Sequence, residues 1–134
     1  MKDVLQGLIW VILGSAIGGP TRYFVSGLVG RHIGETFPLG TMVINVSGAF
    51  FMGVLAAAAA IGGMLPMPVA WQFAATGFLG SYTTVSSFSL QTLALVRDGQ
   101  FLRAGANVTL SLLLCLSAVA LGYAVGSAML GANA

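Results

Sequence analysis

Gly77-Phe-Leu-Gly80-Ser81-Tyr-Thr83-Thr84-Val85-Ser86-Ser87-Phe88-Ser89 lies near the end of a run, residues 36–96, that contains no Asp, Glu, Lys, Arg or His. A membrane helix needs about 20 mostly apolar residues, so the run is too long for one span and suits two joined by a turn. This identifies an all-α membrane protein. The glycines and hydroxyls within the run are costly at membrane depth unless they line a cavity, a pore or an ion site. A plain membrane anchor has no use for them.

The composition agrees. The chain has 134 residues, room for one domain, with 57% hydrophobic and 6% charged residues, against roughly 25% charged in soluble domains. The five Lys and Arg residues are scattered, whereas a nucleic-acid partner requires a basic patch. Cys115 and His32 each stand alone, so no intrachain disulfide, Cys-rich metal site or His-based nucleophile set is available. Lys2 followed by apolar residues superficially resembles a signal peptide. The rest of the chain is equally apolar, which favours a retained first helix.

The charge map predicts four transmembrane helices in a single domain over 1–134, with spans at about 4–22, 39–61, 69–95 and 104–130. Residues 23–37, with Arg31, His32 and Glu35, form the first polar connection. Gly62-Gly63-Met64-Leu65-Pro66-Met67-Pro68 forms the turn between spans two and three, since two prolines and two glycines disfavour a continuing helix. Arg97, Asp98 and Arg103 mark the third connection, which leaves both termini on one side. By the positive-inside rule the Arg-bearing connections face the cytoplasm, a modest bias that leaves dual orientation open. Gly14-x-x-x-Gly18, Ala49-x-x-x-Gly53 and Gly122-x-x-x-Gly126 suit close helix packing, generic to membrane proteins. Four short helices make a thin bundle, so oligomerisation is expected.

The third span carries the strongest chemical signal. Ser81, Thr83, Thr84, Ser86, Ser87 and Ser89 follow Gly77 and Gly80. One or two such hydroxyls would bond back to the preceding helical turn. Six after two glycines point to an unwound stretch whose carbonyls hold a cation and whose hydroxyls, Thr84 and Ser87 among them, face an ion. Asn45 offers a neutral N–H donor inside the second span, equally suited to an interhelical bond or to an anion. Asn107, Ser111 and Cys115 recur every fourth residue, on one helical face, as a polar track or a packing face. Arg22 reads as a snorkelling anchor before a ligand. Phe88 is apolar by default, yet an aromatic ring has a partly positive edge that suits an anion shedding water. No carboxylate lies inside a span, and no Walker loop, potassium-filter motif, metal cluster or Ser/His/Asp set is present. These absences describe a passive pathway rather than an enzyme.

With these residues in view the chain resembles the Fluc (CrcB) family of fluoride channels over nearly its full length. Three blocks carry the likeness: Gly18-Gly-Pro-Thr-Arg22-Tyr23, Gly40-Thr-Met-Val-Ile-Asn45-Val-Ser-Gly48, and the segment from Gly77 to Ser89. The resemblance implies a broken third helix, an antiparallel dual-topology dimer and two fluoride pores. It also implies a structural sodium ion on the dimer axis, held by backbone carbonyls at Gly80 and Thr83. Asn45, Val85 and Phe88 would line the pores, and the polar track would fall on Asn107 and Ser111, with Cys115 a weaker correspondence. Where the family reads Thr-Thr-Phe-Ser-Thr-Phe, this chain reads Thr83-Thr-Val85-Ser-Ser87-Phe88, so one aromatic edge is missing.

The resulting expectation is a fluoride-selective channel of the bacterial inner membrane. Hydrogen fluoride crosses membranes unaided and ionises inside, so a passive exit for the trapped anion protects the cell. The expected partners are fluoride, lipid and a second copy of the chain. The alternatives are a subunit working only beside a paralogue, a four-span drug antiporter lacking its membrane Glu, and a structural assembly protein that leaves the hydroxyls unexplained.

Overall fold

The computed structural model describes residues 2–34, 36–61 and 68–131, which are helical apart from short connections, with no strand among them. The first helix, α1 (Lys2–Ile33), has Asp3 in its first turn and Arg31 and His32 in its last, the Asp3 and Arg31 charges complementing the helix dipole. His32 Nδ1 bonds the Leu28 carbonyl at 2.9 Å. Gly34 follows at φ +90°, and its N–H meets the Gly30 carbonyl at 2.9 Å. The helix therefore runs through residues 23–33, which charge alone assigns to a connection. Tyr23-Phe24-Val25 contains no breaker, and the stop comes only where glycine supplies a left-handed residue. At 32 residues α1 is about 48 Å long, more than a hydrocarbon core of about 30 Å.

Helix α2 (Leu39–Ile61) follows Pro38. Of the expected turn at Gly62–Pro68, residues 62–67 lie outside the described residues. The third helical segment, α3, covers residues 69–82: α-helical at Val69–Trp71, π-helical at Gln72–Leu79 and α-helical again at Gly80–Tyr82. After two extended residues the chain resumes as α4 (Val85–Arg97). Gly99 at φ +75° ends α4. There Gly99 N–H bonds the Val96 carbonyl at 3.0 Å and Gln100 N–H the Leu95 carbonyl at 2.8 Å, a Schellman closure. The last helix, α5, spans Phe101–Gly131.

Helices α1, α2 and α5 are each long and apolar enough to cross a membrane, and Leu5, Ile12, Leu102, Leu112 and Leu121 are among many large apolar side chains left exposed. This is a multi-pass membrane protein. Its interior is thin, centred on Ile44, Leu79 and Tyr82. Two close approaches hold it together. A Cβ at Gly122 would strike the Phe50 carbonyl, and one at Gly53 the Val119 carbonyl, so α2 and α5 meet backbone to backbone. Likewise a Cβ at Gly14 would strike the Phe73 carbonyl, and one at Gly18 the Phe78 carbonyl. The small-residue spacings are thus contact surfaces, as close packing in lipid requires.

Candidate ion pathway

The interruption between α3 and α4 organises the site. Thr83 has ψ 161° and Thr84 φ −153°, ψ 125°, both extended. Gly77 and Gly80 are helical, so the backbone opens at two β-branched residues and not at the glycines. Gly77 serves contact instead: a Cβ there would lie 3.0 Å from Gly14 Cα.

Each end of the opening is closed by side chains. Thr83 N–H and Thr83 Oγ1 both donate to the Leu79 carbonyl, each at 2.9 Å, finishing α3. Thr84 is the N-cap of α4: its Oγ1 accepts from Ser87 N–H at 3.2 Å and contacts Ser86 Oγ at 3.1 Å and Ser87 Oγ at 3.3 Å. Threonine at this position caps because its oxygen satisfies one of the orphan N–H groups of the first turn. Asn45 supplies the rest. Its Nδ2 donates to the Thr84 carbonyl at 2.9 Å and its Oδ1 accepts from Thr84 N–H at 2.8 Å. One amide thereby satisfies both backbone groups of a residue that has left helical pairing, which in lipid would cost several kcal/mol if unmet.

The exchange has a consequence for Gly80. In a continuous helix its carbonyl would accept from Thr84 N–H; here that N–H goes to Asn45, which releases the Gly80 oxygen. The Thr83 carbonyl has only a long contact, 3.5 Å, from Arg22 Nη1. Two hard carbonyl oxygens near the surface of the chain, with Gly80 itself exposed, fit a cation of sodium type as donors. Arg22 is a like-charged neighbour that such an ion would have to tolerate.

The other expected residues divide. Phe88 is half-buried one turn along α4. Its carbonyl accepts from Thr92 Oγ1 at 2.7 Å, and Asn107 Nδ2 donates to that same hydroxyl at 2.9 Å. Asn107 is 1% exposed and ties α5 to α4. Ser111 is buried one turn further along α5 and makes no side-chain bond to this set, while Cys115 is half-buried. Val85 is 76% exposed, outside the group altogether. The chain therefore joins Asn45, Thr84 and Ser87 directly, and Phe88 and Asn107 through Thr92.

A family model described as CrcB-like protein, Camphor Resistance (CrcB), matches residues 9–123. The chain belongs to this family. The protein named fluoride-specific ion channel FluC 2 of Rhodopseudomonas palustris (strain BisB18) is 59% identical over 125 residues, covering 92% of this chain and 95% of the relative. A protein of the same name from Bradyrhizobium diazoefficiens is 54% identical over 129 residues, covering 96% and 94%. Fluoride-specific ion channel FluC 4 of Brucella abortus is 50% identical over 120 residues, covering 89% and 90%.

Two further residues of α4 in this CrcB-family chain escape a reading for hydroxyl clusters. Thr92 links Phe88 to Asn107, and it stands one turn beyond the serine run. Gln91 has a buried, unpartnered Oε1. Its signal was available: it falls three residues after Phe88, on the same side of α4.

Proposed function

We propose that this chain forms a passive, fluoride-selective channel of the bacterial inner membrane that lets cytoplasmic fluoride out. The observation that carries the reading is the kinship with relatives named fluoride-specific ion channels, over nine-tenths of both chains. The site's chemistry supports it. Asn45, Thr84, Ser87, Asn107 and Ser111 offer only neutral donors, and selectivity for a small, tightly hydrated anion needs several weak partners so that the ion can leave again. Asn45 keeps a second Nδ2 hydrogen beyond the one given to Thr84. Phe88 adds a ring edge. Val85 removes one such edge from each pore.

In this reading residues 69–97 are one span broken mid-membrane at Thr83–Thr84, giving four transmembrane helices. Gly80, Ser86, Ser89 and Val85 are exposed around the break. Lipid is a poor partner for hydroxyls and released carbonyls, so a second copy covers them, as an antiparallel homodimer. The Gly80 and Thr83 carbonyls of both copies would hold a structural sodium ion, which supplies positive charge at the dimer centre; Arg22 stands beside it.

Fluoride efflux from liposomes containing only this purified chain tests the function. Voltage-driven efflux without any added protein is expected, and silence from a correctly assembled dimer would reject the reading. For the arrangement, single-Cys variants made after removing Cys115 should label from both sides of the membrane. Labelling of all copies from one side would rule out the antiparallel pair.

A further inference from the structure

The end of α3 is matched to α2 residue by residue. Asn45 holds Thr84 by the two bonds described above. A Cβ at Gly48 would strike the Thr83 γ-methyl and would lie 3.5 Å from Tyr82 Cδ1, so glycine leaves the space that both side chains fill. Ser47 takes Tyr82. Its Oγ donates to the Ile44 carbonyl at 3.1 Å, which commits its single hydrogen. The 2.9 Å contact between the two hydroxyls therefore runs from the Tyr82 O–H to Ser47 Oγ.

Tyr82 is buried in the core with Ile44 and Leu79, and its ring stacks on Phe78 at 5.9 Å and 8°. A phenylalanine would fill the same space, so packing does not call for the hydroxyl. Its placement shows what does. Tyr82 and Gly80 are two residues apart, about 200° around a helix; Tyr82 faces α2, while Gly80 is exposed. A helical carbonyl is normally aimed by the N–H four residues on. For Gly80 that N–H has gone to Asn45, and Thr83 is itself extended. The directions of both carbonyls then depend on where Tyr82, Thr83 and Thr84 are held. Asn45 fixes the chain on one side of Thr83, and Ser47 fixes it on the other.

We propose that the Tyr82 hydroxyl and Ser47 are a positioning pair for the cation: they hold the last turn of α3 against rotation, so that the Gly80 and Thr83 carbonyls keep the directions in which they can serve as ligands. The inference rests on the sodium reading above. Neither hydroxyl is a ligand itself; both act through the backbone.

The test is the melting temperature of the purified chain in detergent as sodium replaces a bulky organic cation at constant ionic strength. A ligand of the folded state raises melting once its concentration passes its dissociation constant, which defines an onset. Tyr82→Phe keeps the ring and loses the bond, and the onset should move roughly threefold to tenfold higher, the weight of one hydrogen bond. Ser47→Ala should move it at least as far, because it leaves the buried Tyr82 O–H without an acceptor. The double variant should go no further than Ser47→Ala alone. Ser47→Thr keeps the hydroxyl and should stay within twofold of wild type, its added methyl group having room in the apolar cavity of about 590 Å³ that Ser47 borders. Gly122→Ala, at the α2–α5 contact, should lower melting equally at every sodium concentration, as a loss of packing alone does. An onset for Tyr82→Phe within twofold of wild type would overturn the positioning role. Shifts that add in the double variant would do the same, as would a Ser47→Thr chain that behaves like Ser47→Ala. Wild-type melting that ignores sodium would instead reject the sodium site itself, and this inference with it.

Discussion

Asn45→Asp is the sharpest test of how the break and the ion share one residue. The new carboxylate keeps the acceptor for Thr84 N–H, now met at 2.8 Å, but replaces the donor to the Thr84 carbonyl at 2.9 Å by an oxygen. One hydrogen bond of about 1 kcal/mol is lost, and two oxygens are set against each other. The effect on a passing anion is larger. At about 4 Å and an effective dielectric constant near 20, like charges repel by about 4 kcal/mol, which corresponds to roughly a thousandfold in rate. Fluoride efflux should therefore fall to background while most of the dimer survives. Asn45→Ala provides the contrast. It orphans both Thr84 groups, costing about 2–6 kcal/mol at about 1–3 for each buried group left unsatisfied, so the dimer should be lost at lower denaturant concentration. Efflux is read by a fluoride electrode at neutral and alkaline pH, because a buried carboxyl can retain its proton and still donate. Flux for Asn45→Asp within twofold of wild type, at both pH values and with the dimer intact, would show that no anion passes this amide.

Phe88→Ile removes the ring edge at similar bulk and should depress efflux well beyond its packing cost of about 1 kcal/mol, whereas Val85→Phe, at an exposed position, should restore or raise it; undiminished flux in Phe88→Ile would leave conduction to the polar groups alone. Thr84→Val deletes the cap to Ser87 N–H at 3.2 Å and should cost about 1 kcal/mol in dimer melting, with no loss arguing that the cap is dispensable. Gly122→Ala places a methyl group against the Phe50 carbonyl and should destabilise the α2–α5 contact by about 1–3 kcal/mol, again seen in melting. Thr83→Ala removes a bond back to Leu79 and a methyl group beside Gly48 but keeps the carbonyl, so efflux should change little, while exchanging sodium for a bulky organic cation on both sides should suppress efflux; indifference to that exchange would count against a sodium at the Gly80 and Thr83 carbonyls.

What could be read from residue types was large-scale. Charge-free length gave membrane residence, because it follows from transfer free energies that each residue carries alone. Boundaries were harder. The connection expected at 23–37 is helical to Ile33, since two charged residues in a final helical turn look the same in a sequence as two in a loop, and only Gly34 marks the stop. The unwound stretch expected among the hydroxyls after Gly77 and Gly80 falls at Thr83 and Thr84, with both glycines still helical. That outcome is tertiary: a helix opens where its lost bonds are replaced, and the replacement comes from Asn45, 39 residues earlier. Gln91 escaped attention for the same reason, because what distinguishes it is a missing partner, which no residue type records.

The pairing of Asn45 with Thr84 also bears on why the interrupted segment and the proposed pore coincide. An amide that satisfies a stray backbone N–H and C=O uses its oxygen and one hydrogen, and geometry then fixes the direction of the second hydrogen. The break is thus what orients the donor, and the donor's partner is what stabilises the break. A side chain free to rotate would lose conformational entropy on meeting an ion; this one has already lost it in folding. The same logic covers Asn107, whose bond to Thr92 at 2.9 Å fixes its amide in the folded chain. Gln91 is the exception, longer by one methylene and without a partner for its oxygen.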